Sequence, residues 1–425
     1  MCRSIYTIIT AVSLLALSLG LVQAVEPAAP LSLQACIKSA LNNNIDVLTA
    51  KNGVVTSQNR LVAAKSGYMP QVSVQNNTFT WSSSKFQSSV ANGTALTISQ
   101  NIYDGGLREA GVRKSFQETI QSSTGLTRTM QAVLYSVSKA YYEVLRSRHL
   151  EKVAQANVKY NEGLREQILS RANVGDAAQT DVLPVEAQLA TARMSLLSSQ
   201  NSVRTSIIQL QSTMGLDSQP GFDVEEVDSD TSFEIEPMDK YIAEALDSRP
   251  DIKQYRAFTD AAKASKASSK LALYPRPSVT AQYQKQVSGN TNAGGSMIWG
   301  GIVFDIFDGG SNKAAYNEAE TAQINAQIQE MQILKDIHLQ VEEAYLNLNN
   351  ARERMSASIV SLEASNKNYQ VQQERYAQGL STALDLLNAE VQVVTSQNDD
   401  VQARYDYYIA LAQMEYAVGK QGGLL

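Results

Sequence analysis

The sequence predicts an α+β membrane protein made of two tandem repeats, in which four strands per chain join a β-barrel that long coiled-coil helices continue. Three observations predict this fold class. The second half repeats the first at a constant offset of 204 residues, without a gap from Ile102 to Gly215. Each half carries two segments in which apolar and polar residues alternate, a pattern typical of two-faced strands. Each half also carries a proline-free helical pattern of roughly 65 residues, longer than a globular core needs.

Residues 1–24 are expected to form a secretory signal peptide. Arg3 is the only charged residue before Glu26, and an apolar run extends from Ile5 to about Val22. The small residue Ala24 then fits a cleavage site. A membrane anchor is the alternative, but no basic flank follows the apolar run. We therefore expect cleavage near Ala24.

Composition points away from nucleic acid, metal and catalysis. The net charge of −6 is spread along the chain, which argues against a nucleic-acid partner. Cys36 is the only cysteine after the expected cleavage site, so we expect a small buried residue and no internal disulfide. His149 and His338 are not equivalent in the repeat and lack metal-ligand spacing. We expect both on helix surfaces, and we expect no metal, no cofactor and no enzymatic activity.

Each half begins with a helical stretch and continues with two strands. The helices are predicted at Leu33 to Ser66 and Tyr241 to Leu271, and Pro70 and Pro275 end them. The apolar or larger positions of the alternating segments are Val72, Val74, Thr78, Thr80, Leu96, Ile98, Gln100 and Ile102 in the first half, and Val279, Ala281, Tyr283, Ile302, Phe304 and Ile306 in the second. The Ser/Asn/Gly-rich segments 82–93 and 286–295 are predicted to be solvent loops.

Sharp turns lead from the strands into two very long helices. The turns are Asp104-Gly105-Gly106 and Asp308-Gly309-Gly310, and the helices are predicted at Arg108 to Ala172 and Asn312 to Ala377. At 1.5 Å per residue each helix is about 100 Å long. A seam with a 3.5-residue period predicts coiled-coil packing: Met130, Leu134, Val137, Tyr141 and Val144, then Leu334, Ile337, Val341, Ala344 and Leu348.

A shorter helix returns in each half after a glycine-bearing break. These helices are predicted at Asp181 to Met214 and Asp385 to Val418, about half the length of the long ones. The first helix of the repeat is expected to stack end to end with the return helix and to supply the missing length. The predicted units are a first repeat over 25–215, an acidic linker over 216–240 and a second repeat over 241–425.

Four strands cannot close a membrane barrel, because a free edge in a bilayer leaves backbone groups without hydrogen bonds. Barrels begin at about eight strands. If the strands are membranous, they must pair with strands of other copies. The product would be a short barrel continued by a bundle of helices, which together form a tube.

The chain resembles the TolC-type outer-membrane factors over essentially its whole mature length. The resemblance rests on the repeat, on the phrases from Gln100 to Gly106 and from Phe304 to Gly310, and on the helix tips around Gly175 and Gly379. It implies a homotrimer with a twelve-stranded barrel in outer-membrane lipid and a helical barrel in the periplasm. It also implies a passive exit channel for tripartite efflux or type I secretion, opened by a periplasmic adaptor and an inner-membrane pump or ABC exporter.

The resemblance also implies where the channel closes. Asp385 occupies the position at which family members place a carboxylate ring around the aperture, while Asn388 stands where a second aspartate can occur. The family contacts between the two helix tips carry over to Tyr376, Thr180 and Asp181, but Ser381 replaces the arginine of that latch. Capping of helix N-termini by Asp181 and Asp385 is the alternative role, and the two roles can coexist.

One alternative function is a periplasmic structural coiled coil without a pore. The strand faces favour the channel, because apolar positions such as Ile98 and Ile302 alternate with polar ones. Drug efflux and protein secretion remain open alternatives, because both use the same kind of duct.

Overall fold

The computed structural model describes residues 30–83, 86–173, 182–218, 221–226, 235–288 and 291–420. The predicted signal peptide lies outside these residues, as do Thr180 and Asp181. The elements are α1 (Leu33–Asn43), α2 (Ile45–Ser66), β1 (Gln71–Ser83), β2 (Phe86–Tyr103), α3 (Leu107–Asn173), α4 (Val182–Thr213), α5 (Met238–Ser248), α6 (Pro250–Leu271), β3 (Arg276–Ser288), β4 (Thr291–Val303), α7 (Ser311–Ala377) and α8 (Ala383–Val418).

The long helices α3 and α7 dominate the molecule. Each has 67 residues, and their ends agree with the predicted ends to within one residue. α3 packs against α4, α7 packs against α8, and α3 also contacts α8, so the two hairpins form one bundle. Most of the predicted seam is buried, as Val137, Tyr141 and Ile337 illustrate, while Leu334 is exposed. The seam therefore faces the shared core of the bundle, as a coiled-coil pattern predicts for its apolar positions.

The helices predicted at the start of each half are each broken in two, which corrects the prediction of single helices. Asn44 leaves the helical conformation, and its Oδ1 accepts hydrogen bonds from the backbone N–H groups of Asp46 (2.8 Å) and Val47 (3.3 Å). Asn44 thus caps α2. In the second half Pro250 is the first residue of α6 and forces the preceding Arg249 into an extended conformation.

The broken helices meet the return helices end to end, as expected. The side-chain amide of Asn44 donates to the carbonyl of Thr213 at the end of α4 (2.9 Å). In the second half the hydroxyl of Ser248 donates to the carbonyl of Val418 at the end of α8 (2.6 Å). At both helix ends a side chain thus satisfies a carbonyl that the helix itself leaves unpaired. We call the first contact, between Thr213–Gly215 and Asn43–Asn44, the helix joint.

Glycine is required at the helix joint. Gly215 has a φ of +73°, and a Cβ atom added there would lie 2.4 Å from the carbonyl oxygen of Asn43. Only glycine combines this left-handed conformation with so close a backbone approach. The sequence repeat pairs Gly215 with Gly419, which also has a positive φ and ends α8.

The four strands form one antiparallel sheet in the order β1-β2-β3-β4. The strands extend into the segments 82–93 and 286–295, so the prediction that these are loops is wrong for most of their residues. Ladder hydrogen bonds compensate there for the weak strand propensity of Ser, Asn and Gly. β4 ends at Val303, so Phe304 and Ile306 lie beyond the strand in which they were predicted.

The Asp-Gly-Gly segments are turns, as predicted. The carboxylate of Asp104 accepts hydrogen bonds from the backbone N–H groups of Gly106 (3.2 Å) and Arg108 (3.0 Å). Asp308 holds the N–H groups of Gly310 (2.9 Å) and Asn312 (2.7 Å) in the same way. Each aspartate therefore caps the long helix that follows, and both glycines of each turn have positive φ angles.

Two smaller predictions concern Cys36 and the histidines. Cys36 is fully buried and unpaired, as expected. His338 is exposed, but His149 is half-buried and its Nδ1 lies 3.0 Å from the hydroxyl of Tyr405 on α8, so the prediction of a surface position is wrong for His149. None of the helices in the described ranges is long and apolar enough to cross a membrane.

Candidate gate at the helical tip

The turn between α7 and α8 forms one end of the bundle. The backbone N–H of Leu380 bonds to the carbonyl of Arg375 (2.8 Å), and Gly379 has a φ of +75°. This is the glycine-bearing helix end that the sequence pattern predicted. The turn fixes the direction in which α8 starts and thereby places Asp385 in its first turn.

Asp385 is fully exposed and participates in a capping box. Its backbone N–H donates to the hydroxyl oxygen of Thr382 (3.2 Å), and its Oδ2 accepts from the backbone N–H (3.1 Å) and the hydroxyl (2.7 Å) of Thr382. The Thr382 hydroxyl, then its backbone N–H, holds the pKa of Asp385 below its usual range. The carboxylate is therefore charged at neutral pH, and it caps α8 whether or not it also lines an aperture.

Ser381 stands where the family arginine would be, and its hydroxyl bonds locally. It donates to Oε1 of Gln372 (3.1 Å) and lies 3.3 Å from Oδ2 of Asp385. These contacts stay within the turn between α7 and α8. The arrangement adds a third polar contact to Asp385 and contributes no cation.

Tyr376 joins the two hairpins at the tip. Its buried ring belongs to a small apolar cluster, which we call the tip core: Leu164, Ile168, Val182, Val185, Tyr376, Leu386 and Leu387. The guanidinium carbon of Arg171 lies 5.3 Å from the centre of the Tyr376 ring, a cation–π contact between α3 and α7. Of the four predicted gate residues, the structure thus places Tyr376 and Asp385 at the tip, while Thr180 and Asp181 lie outside the described residues.

Sequence reasoning missed a buried polar contact between the hairpins. Glu390 of α8 is 5% exposed, and its Oε1 accepts a hydrogen bond from Nδ2 of the buried Asn161 on α3 (2.6 Å). Burial raises the pKa of Glu390 to about 7, although the bond from Asn161 acts in the opposite direction. A buried carboxyl group without a cationic partner is expensive to ionise.

The repeat contained a signal for this contact. The equivalent of Glu390 in the first half is Glu186, which forms an exposed ion pair with Arg165 (2.8 Å). The residue 204 positions after Arg165 is Tyr369, so the second repeat has no arginine at the equivalent position. The loss of the basic partner in one repeat is what distinguishes Glu390 from Glu186.

The described residues at the tip offer charge, hydrogen bonding and packing. Within the described part of the chain, no cluster of histidine, cysteine, aspartate or glutamate could hold a metal ion.

Comparison with known proteins identifies the family. The model of the outer membrane efflux protein family matches residues 36–216 and again 241–420. The outer membrane efflux protein BepC of Brucella suis is 24% identical over 395 residues, which cover 92% of this chain and 85% of that protein. The outer membrane protein TolC of Escherichia coli is 22% identical over 347 residues, covering 77% of this chain and 69% of that protein.

The fold agrees with that assignment. A crystal structure of CusC superimposes with a TM-score of 0.82 and 17% identity, covering 92% of both chains. The chain therefore belongs to the outer membrane efflux protein family of TolC-type channels: it is an outer-membrane channel protein, not an enzyme, and its helical part lies in the periplasm.

Proposed function

We propose that the protein is the homotrimeric exit channel of a tripartite efflux or type I secretion system. It is a passive duct, and a periplasmic adaptor and an inner-membrane pump or ABC exporter open it. The observation that carries this proposal is the four-stranded sheet, which has an exposed apolar face and two outer strands. Within the described residues, β1 and β4 each pair on one side only.

The strand register separates the sheet into two faces. Val72 lies opposite Ile98, and Ile98 lies opposite Tyr283, so these three residues share one face. The same face carries Ile298 and Ile302 of β4, which are 74% and 73% exposed. Large aliphatic side chains in such numbers are stable at a surface only if lipid or protein covers them.

The other face is mainly polar in β1, β2 and β3, while β4 adds Met297 and Trp299 to it. It carries Ser73, Thr97, Ser99, Gln282 and Gln284. In β1, β2 and β3 apolar positions alternate with polar ones, which matches a barrel with lipid outside and water inside. A periplasmic coiled coil without a pore would leave this two-faced sheet unexplained.

The end of β4 supports closure by another copy. Ile306 and Phe307, just beyond β4, are each 90% exposed. Their counterparts in the first repeat, Ile102 and Tyr103, lie in β2, where Tyr103 is opposite Val279 of β3. A β1 strand from a second copy would supply the same kind of neighbour to β4. Three copies would then give the twelve strands that the family resemblance implies.

The proposal for the gate follows from the trimer. Threefold symmetry would bring three copies of Asp385 together at the periplasmic end, with Tyr376, Thr180 and Asp181 in contacts between the helix tips. The proposed units are the signal peptide over 1–24, repeats over 25–215 and 241–425, and a linker over 216–240. Whether small molecules or proteins pass depends on the pump that the channel joins.

Assembly and conduction test this function together. Mature protein in detergent should sediment as a trimer, and it should form ion-conducting channels when added to a planar bilayer. A monodisperse monomer that remains water-soluble without detergent would contradict the proposal. A trimer without conductance, even after Asp385→Asn, would contradict the assignment of the gate.

A further inference from the structure

The contact between Asn161 and Glu390 joins the two hairpins inside one protomer. Asn161 lies on α3 and is completely buried, and Glu390 lies on α8, five residues after Asp385. Their side chains meet beside the tip core at 2.6 Å. Separation of the hairpins near the tip would have to break this contact.

If Glu390 is ionised, the buried acceptor atoms at this contact outnumber the hydrogens available to them. Nδ2 of Asn161 faces three acceptors: the carbonyl (3.0 Å) and Oδ1 (2.7 Å) of Asn157, and Oε1 of Glu390 (2.6 Å). An amide nitrogen has only two hydrogens to donate. Oδ1 of Asn161 and Oε2 of Glu390 are both buried, and neither has a partner among the described residues. An ionised carboxylate cannot donate, so it leaves the amide oxygen unsatisfied.

One proton resolves the imbalance. A protonated Oε2 can donate to Oδ1 of Asn161 while Oε1 accepts from Nδ2, which gives a cyclic pair of an acid and an amide. If the amide group has the opposite orientation, its oxygen lies 2.6 Å from Oε1, and that contact also needs a proton between the two atoms. In the first orientation the neutral acid gives Oδ1 of Asn161 a donor, and in the second it supplies the proton between the two oxygens.

Among the described residues around Glu390, no cation takes the place of that proton. α3 and α7 pack against α8 near the tip, and the titratable groups they turn toward Glu390 are the phenols of Tyr160 and Tyr369. The neighbouring charged residues form exposed ion pairs instead: Glu162 with Arg193, Arg165 with Glu186, and Lys367 with Glu363. Burial accordingly raises the pKa of Glu390 to about 7.

We propose that Glu390 is a proton-binding site that fastens the two hairpins of a protomer together through Asn161, and that loss of the proton loosens the tip. When the proton leaves Oε2 for solvent, the site keeps one negative charge, and the hydrogen bond to Oδ1 of Asn161 is lost. The further consequence, easier channel opening at higher pH, rests on the proposed function. The range in which the fastening responds is centred near neutral pH.

Hydrogen exchange at the tip tests the fastening directly. The probe is the intact protein in detergent from pH 5.5 to 8.5, with exchange of the backbone amides in 157–168 and 386–396 corrected for intrinsic rates. Wild type should lose at least fivefold protection across this range. Glu390→Gln should stay protected throughout, because its amide can make both hydrogen bonds of the neutral acid with Asn161. Glu186→Gln, the equivalent change in the first repeat, should follow wild type.

Several results would overturn the inference. They are a wild type without pH dependence, a Glu390→Gln variant that follows wild type, or a Glu186→Gln variant that loses the response. If Glu390→Gln does not fold, Asn161→Ala provides the test: at pH 5.5 its tip should exchange as fast as wild type does at pH 8.5. A variant tip that is as protected as wild type at pH 5.5 would overturn the inference.

Planar-bilayer recording separates this inference from the proposed function. Open probability should rise with pH in wild type and stay constant in Glu390→Gln. Channels whose opening ignores pH would overturn the gating consequence and leave the channel function intact. A pH-dependent exchange pattern in a protein that forms no channels would support the fastening and contradict the proposed function.

Discussion

The substitution Gly215→Ala should weaken the helix joint more than the addition of one methyl group suggests. The residue has a φ of +73°, and the left-handed conformation costs a residue with a Cβ atom about 1–2 kcal/mol. The new Cβ atom would also lie 2.4 Å from the carbonyl oxygen of Asn43. That oxygen belongs to the backbone, so relief requires the two helix ends to separate.

The separation has a cost that the structure identifies. It would stretch the 2.9 Å hydrogen bond between the Asn44 amide and the Thr213 carbonyl, which contributes about 1 kcal/mol. We therefore expect Gly215→Ala to lower the free energy of unfolding by about 2–3 kcal/mol per protomer. Gly379→Ala is the matched control, because Gly379 has a φ of +75° but no atom lies within 4 Å of the place that a Cβ would take. It should cost about 1–2 kcal/mol.

Thermal unfolding of the detergent-solubilised protein, followed by helical circular dichroism, measures the difference. Gly215→Ala should melt several degrees below Gly379→Ala, and limited proteolysis should cut it earlier near residues 43–44 and 213–215. Equal melting temperatures for the two variants would refute the reasoning, because they would show that the close backbone approach adds nothing to the conformational strain.

Three further predictions concern the barrel, the gate and the buried acid. Ile98→Arg should hinder membrane insertion by about 2–4 kcal/mol more than Thr97→Arg if the site lies near the bilayer midplane, and equal folded fractions in outer membranes would refute the register. Asp385→Asn keeps most of the capping ability and removes the charge, so reversal potentials in planar bilayers should show a weaker cation preference; unchanged selectivity with reduced stability would mean that Asp385 only caps α8. Because folding raises the pKa of Glu390 from 4.5 to about 7, its contribution to stability is fully present below about pH 4.5 and is lost as pH rises through 7. The loss is about 3 kcal/mol per protomer, and Glu390→Gln should remove it from pH-dependent unfolding curves.

Periodicity predicted the elements that follow a regular pattern over many residues. The 3.5-residue seam located both 67-residue helices, and the internal repeat gave each boundary a second, independent instance. The turns at Asp104 and Asp308 were predicted correctly from the Asp-Gly-Gly pattern, because aspartate and glycine both favour turns. Thr382 with Asp385 likewise predicted the capping box at α8.

Features that depend on tertiary contacts were not predictable in this way. The break at Asn44 is stabilised by the carbonyl of Thr213, a residue 169 positions away. The Ser/Asn/Gly-rich segments have weak strand propensity, yet ladder pairing with their neighbours makes most of them strands. The repeat shows only that Glu390 lacks the arginine partner of Glu186, whereas the contact of Glu390 with Asn161 depends on how the two hairpins pack. Pro250 is different, because a proline is favoured at the first position of a helix, and the prediction of one continuous helix overlooked that signal.

The free edges of the sheet have a consequence for the order of folding. The helical hairpins pair segments that are adjacent in the chain, so they can form early in a single copy. In the proposed trimer the sheet is completed only when other copies arrive, and until then β1 and β4 present unpaired backbone groups within the described residues. A monomer that crosses the periplasm would thus have folded helices and a sheet with two unpaired edges. Its strand edges would pair either with other copies of this chain, which leads to assembly, or with other proteins, which leads to aggregation.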